Sequence, residues 1–200
     1  MERRERMKYE DAWVQPLRAA IDDLLVRKGG GIVAIEGGSA SGKTTLACYL
    51  AASYPCAVFH MDDFFLRPEQ RTEERLAQPG GNVDRERFLE EVLLPVTRGE
   101  TVRLRRYDCH TQTVQPPVDC AHQALTIVEG AYSMHPDLAV YYDLSVFLAV
   151  PPQVQHARVE VRNTPEQQVR FFNTWIPMEQ RYFQATGAQE RCDLVLQVTG

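Results

Sequence analysis

The chain has 200 residues, which is room for one domain and little more, since domains commonly hold about 100–200 residues. Its 44% hydrophobic and 24% charged residues can build a core, which excludes a disordered chain. A formal net charge of −5 argues against nucleic acid as a partner, and no run of about 18 apolar residues offers a membrane span.

The first residues, MERRERMKYEDAW, are charged where a secretory signal would be apolar, so the expected setting is the cytosol. Cys48, Cys56, Cys109, Cys120 and Cys192 form no C-x-x-C pair and are odd in number; they are read as reduced and mostly structural. An opening amphipathic helix is expected over 14–28, with Leu17, Ile21, Leu24 and Leu25 on one face, Pro16 in the first turn and Gly29–Gly31 as the stop. Short apolar runs then recur at Ile32–Ile35, Ala57–Met61, Leu125–Val128, Leu144–Val150 and Leu194–Val198. Each is the kind of strand that is covered on both faces. Helical patterns separate them, after Gly42, Asp84, Pro152 and Pro165, with Pro177 expected to kink or divide the last. Between about 100 and 124 the pattern breaks: Thr101–Arg106 alternates, Thr111–Val114 suits a returning strand, and Pro116-Pro117 interrupts. The expected fold is a single α/β domain with a doubly wound, parallel, five-stranded sheet, a small hairpin insert and a helical lid over about 152–170.

The strongest motif is Gly37-Gly38-Ser39-Ala40-Ser41-Gly42-Lys43-Thr44, a match to G-x-x-x-x-G-K-[ST] placed between a strand and a helix. Small residues let backbone N–H groups, through Thr45, converge on a phosphate chain, and the helix dipole adds attraction. Lys43 brings a point charge to the outer phosphates, and the Thr44 hydroxyl suits Mg²⁺. A glycine-rich turn that binds nothing would give no reason for the lysine and hydroxyl. No lysine follows Lys43, so the N/T-K-x-D segment of guanine-specific GTPases is absent. ATP and Mg²⁺ are the expected cofactors.

Asp62 closes the second strand in His60-Met61-Asp62-Asp63-Phe64-Phe65. Strand carboxyl ends face the ligand crevice in such sheets, so Asp62 is read as the base that takes a proton from an attacking hydroxyl. Glu129, with Gly130, ends the Leu125–Val128 strand where an acid can hold Mg²⁺. Arg158 and Arg162, four apart on a helix, share a face whose repulsion a phosphate would relieve; a solvated face paired with Glu160 is the alternative, and Arg170 fits either reading. The aromatic stripe from Trp175 to Phe183 reads as packing against the sheet.

GGSASGKTT followed by HMDDFF resembles the P-loop kinases of the uridine kinase, phosphoribulokinase and nicotinamide riboside kinase group. The resemblance implies that Asp62 is the catalytic base, that Glu129 serves the metal and acceptor side, and that an arginine-bearing lid, here Arg158 and Arg162, closes the site. Asn82-Val83-Asp84 followed by Phe88 is similar to the uridine kinase segment whose aspartate holds ribose hydroxyls, which makes Asp84 a sugar-binding candidate; a helix N-cap is its other reading. Arg106-Tyr107-Asp108-Cys109-His110 resembles the segment that contacts the nucleobase, so Tyr107 and His110 join the acceptor candidates, although His110 comes earlier after the tyrosine than in that family. The lid is shorter, with Arg162-Asn163 where the family has Arg-Asp, and Cys192-Asp193 resembles the pair that opens the last strand. The implied activity is transfer of the ATP γ-phosphoryl group to a hydroxyl of a nucleoside-like small molecule. A kinase of another alcohol, pantothenate-like or phosphosugar, and a non-catalytic ATP-binding module remain the alternatives.

Overall fold

A computed structural model describes residues 12–198. Helix α1 (Gln15–Lys28) buries Leu17, Ile21 and Leu24, and ends on Gly29 in the left-handed conformation, φ 74°, whose N–H returns to Leu25 O. Strand β1 (Gly31–Glu36) alternates between two cores. Ile32 and Ala34 join one cluster with Phe59, Phe64 and Phe88, while Val33 and Ile35 join the other with Leu17, Leu46 and Ile127. Both faces are therefore covered, which is why the strand reads as an unbroken apolar run. Helix α2 (Lys43–Ala51) follows the glycine-rich loop, and β2 (Cys56–His60) runs into a short 3₁₀ turn, Met61–Phe64.

The acceptor-side segment contributes α3 (Glu73–Ala77), α4 (Arg85–Phe88) and α5 (Leu94–Thr97), the last two joined by a π-helical stretch, Leu89–Leu93. The insert holds two short antiparallel ladders, with β3 (Val102–Leu104) paired to β6 (Val118–Cys120) and β4 (Tyr107–Asp108) paired to β5 (Thr113–Val114). The expected returning strand is β5, nested inside a wider ladder that Pro116-Pro117 enters rather than breaks. Strand β7 (Leu125–Glu129), α6 (Pro136–Ala139), β8 (Leu144–Ala149), α7 (Pro152–Arg162) and α8 (Pro165–Arg170) come next. A second π-helical stretch, Phe171–Trp175, leads into α9 (Ile176–Thr186), and β9 (Leu194–Gln197) closes the sheet.

The sheet order is β2-β7-β1-β8-β9, and all five strands are parallel. The chain leaves β7 on one side of β1 and enters β8 on the other, so the order switches at β1, where such sheets open a crevice at the strand ends. The helical run continues through Pro177 from Pro165 to Thr186, with a π-helical stretch before the proline. A proline has no N–H and crowds the carbonyl four residues back, and both π-helical stretches lie just upstream of a proline, Pro95 and Pro177, where the widened turn absorbs that conflict. All five cysteines are free thiols. No helix among the described residues is long and apolar enough to cross a membrane.

Candidate active site

The cradle is built by the exit of β1 into α2. Gly37 and Gly42 take φ values of 148° and 103°, and a Cβ at Gly37 would fall 2.8 Å from the Leu148 carbonyl oxygen. Ala40 is left-handed too, at φ 58°. The first helical bond runs from Leu46 N–H to Gly42 O, so the amides of Gly42, Lys43, Thr44 and Thr45 have no acceptor within the helix. These four amides and the positive end of α2 suit phosphate oxygens. Lys43 is buried, and its Nζ donates to Gly38 O at 2.9 Å. Its ammonium lies in the field of Glu36, Asp62 and Glu179, and lowers the pKa of each from where burial puts it. The Ser41 hydroxyl is buried without a partner among the described residues, a further polar group that a ligand in the loop could satisfy. A triphosphate tail therefore fits the residues present.

Ser39, Ala40, Gly42, Lys43, Thr44, Thr45, Asp62, Glu129 and Arg162 line one cleft. Thr44 Oγ1 donates to Glu129 Oε1 at 3.0 Å, and His60 Nδ1 lies 2.6 Å from the same oxygen. That hydrogen bond raises the His60 pKa, and the pairing follows from the β2–β7 register, which sets His60 opposite Glu129. Thr44 and Glu129 are an oxygen set that would hold Mg²⁺ together with phosphate and water. Among the described residues no cluster of three or more His, Cys, Asp or Glu could by itself hold a metal ion. The Asp62 carboxylate is reached by solvent through the cleft, yet protein packed round that cleft still raises its pKa, and Glu129 adds to the rise. No side chain among the described residues holds it by a hydrogen bond.

The other candidates stand outside this cleft. Asp84 is buried and caps α4, with Oδ1 accepting Arg87 N–H at 3.2 Å and Oδ2 accepting Gln70 Nε2 at 2.9 Å. The capping alternative is thus the one the chain builds, because Asp84 opens a helix whose first amides need an acceptor. Tyr107 is 4% exposed in β4, and its hydroxyl accepts Arg71 Nη2 at 3.0 Å. His110 is exposed in the β4–β5 turn, where its N–H donates to Asp108 Oδ1. The lid arginines part company. Arg162 lines the cleft, whereas Arg158 Nη1 donates to Ala40 O and Ser41 O at 3.2 and 3.3 Å, gripping the back of the loop.

Three site-shaping residues escaped the sequence reading. Glu36, fully buried at the end of β1, accepts the N–H groups of Gly37, Tyr132 and Met134 and the Tyr182 hydroxyl. Arg87 stacks 4.1 Å over the Phe64 ring and donates to Asp63 O and Arg105 O, which fastens the insert to the loop carrying Asp62. Glu179, placed in the aromatic stripe of α9, reaches Ser39 of the cradle.

No family model matches the chain. Among solved structures, a possible uridine kinase from Bacillus stearothermophilus is similar over 90% of this chain and 99% of its own, with TM-score 0.64 and 22% identity. YFH7 from Saccharomyces cerevisiae, a candidate P-loop kinase with a circular permutation, is similar over 94% of this chain and 99% of its own, with TM-score 0.65 and 11% identity. At such identities the likeness speaks for the fold, and it agrees with the parallel sheet and the cradle at the end of β1. The chain has the P-loop kinase fold.

Proposed function

We propose that the protein is an ATP-dependent kinase that moves the γ-phosphoryl group to a hydroxyl of a small, nucleoside-like acceptor. The observation that carries this reading is Asp62: a carboxylate that no side chain among the described residues holds by a hydrogen bond shares one cleft with Lys43, Thr44 and Glu129. A module that only sensed nucleotide would need the cradle without such a base.

The α2 amides and Lys43 hold the phosphate chain, and Arg162 faces it from the lid. Thr44 and Glu129 would hold Mg²⁺, which when bound neutralises charge on the phosphates. Asp62 accepts the proton as the acceptor oxygen bonds to the γ-phosphorus and the bond to the bridging β,γ oxygen breaks, releasing ADP. Burial raises the Asp62 pKa, which makes it a better proton acceptor than an ordinary aspartate.

The test is acceptor-dependent ADP formation by the full chain with MgATP. Nucleosides are the first panel; pantothenate-like alcohols and phosphosugars are the second. Asp62→Asn is expected to bind MgATP normally and to lose about 10²–10⁴-fold in kcat. Full turnover by that variant, or no acceptor-dependent ADP from either panel, overturns the proposal.

A further inference from the structure

Ser39 is the cradle residue that the rest of the chain holds most completely. Its carbonyl accepts Gln155 Nε2 from α7 at 2.8 Å, its N–H donates to Glu179 Oε2 from α9 at 2.8 Å, and its hydroxyl donates to Glu179 Oε1 at 2.5 Å. The lack of a side chain at Gly38 permits this, since a Cβ there would lie 2.8 Å from Gln155 Nε2 and 3.4 Å from Glu179 Oε2. Glu179 is 5% exposed and stands in the cleft wall with Lys43 and Asp62. A carboxylate that spans an amide and a hydroxyl makes the same pattern of contacts as two oxygens of a phosphoryl group.

The cradle is therefore in two states at once. The amides from Gly42 to Thr45 are unclaimed, while the opposite arm, at Ser39, is occupied by the chain's own anion. Asp62 and Glu179 lie within reach of one another's charge, and Lys43 faces both. The Ser39 arm is thus on the side where the proposed transfer takes place, and the α2 amides are on the side of the inner phosphates.

We propose that Glu179 is a specificity-determining residue of the nucleotide site: its carboxylate stands in for the terminal phosphoryl group at Ser39 and yields that amide and hydroxyl only to a triphosphate. This rests on the nucleotide reading of the cleft. A diphosphate fills the helix end without meeting Glu179. A triphosphate brings like charge against a buried carboxylate, so its binding includes the departure of Glu179 from Ser39. The protein then responds to the presence of the transferable group and not to nucleotide in general.

Isothermal titration calorimetry on the full chain decides the matter, with MgADP and with the magnesium complex of the non-hydrolysable β,γ-imido triphosphate. Glu179→Gln is expected to keep the Kd for MgADP within about twofold and to tighten imido-triphosphate binding by about tenfold, the scale of one charge-assisted contact. Glu179→Ser, also uncharged, is expected to shift in the same direction and covers a failure of the first variant to fold. Unchanged or weakened imido-triphosphate binding, or an equal change for both nucleotides, overturns the inference and leaves the kinase reading standing. Failure of the unaltered protein to bind either nucleotide overturns the kinase reading itself.

Discussion

Asp62 shows how a single side chain can be tuned by its position at a strand end. Burial lifts its pKa, Lys43 pulls it back, and Glu129 lifts it again. A base works only when deprotonated, so activity is lost as pH falls through the raised value. The acid limb of kcat/KM is expected above the ordinary aspartate value of about 4. A pH–rate profile with the limb at or below that value would contradict a raised Asp62 pKa. The proposed roles of Lys43, Thr44 and Asp62 were legible because each rests on a local pattern, a motif or a strand end. Glu36 and Glu179 were not, because their partners lie far along the chain: Met134 N for Glu36 and Ser39 for Glu179, separated by 98 and 140 residues. Asp84 shows the converse. Its sequence context allowed a sugar contact and a helix cap alike, and only the fold shows both carboxylate oxygens engaged within the chain.

At the scale of elements, the five strands were readable because a strand covered on both faces must be apolar at every position, and periodicity fixed their number and direction of pairing through the helices between them. The insert was harder, since strands of two or three residues carry no periodicity of their own. The meeting of β7 and β2 is a contact no periodicity encodes. Gly130, at φ 144°, follows Glu129, and a Cβ there would stand 2.6 Å from Met61 Cβ. Met61 immediately precedes Asp62, so the close approach of Gly130 to Met61 bears on where the proposed base stands relative to the Thr44–Glu129 pair. Gly130→Ala is expected to destabilise the fold by about 2–4 kcal/mol, from the left-handed strain and the overlap together. It is also expected to lower kcat by displacing the Met61–Asp62 turn. Urea unfolding measures the first effect and steady-state assays the second, and a variant as stable and active as the unaltered protein would show that the turn is not set by this contact.

For the whole molecule, Glu36 is a residue that ties distant parts of the chain together beside the candidate cleft. It stands at the end of the central strand and accepts hydrogen bonds from the cradle at Gly37, from the turn after β7 at Tyr132 and Met134, and from Tyr182 of α9. Burial raises its pKa from 4.5 to about 7, even though those donors and Lys43 pull it down. The unfolded chain releases the proton near 4.5, so between these two values the native state binds one proton more than the unfolded state, and stability must fall as pH rises. The contribution is fully present below 4.5 and gone once pH passes about 7, with a ceiling of roughly 3 kcal/mol at 1.36 kcal/mol per unit. Urea unfolding at pH 5 and pH 8 reads this directly. Glu36→Gln, which titrates nothing, is expected to flatten that part of the slope, while His60 and the other titrating groups act equally in both proteins and cancel in the comparison. Identical slopes would mean that the donors from the three segments keep Glu36 ionised throughout, and that the cleft is held together by a permanent charge.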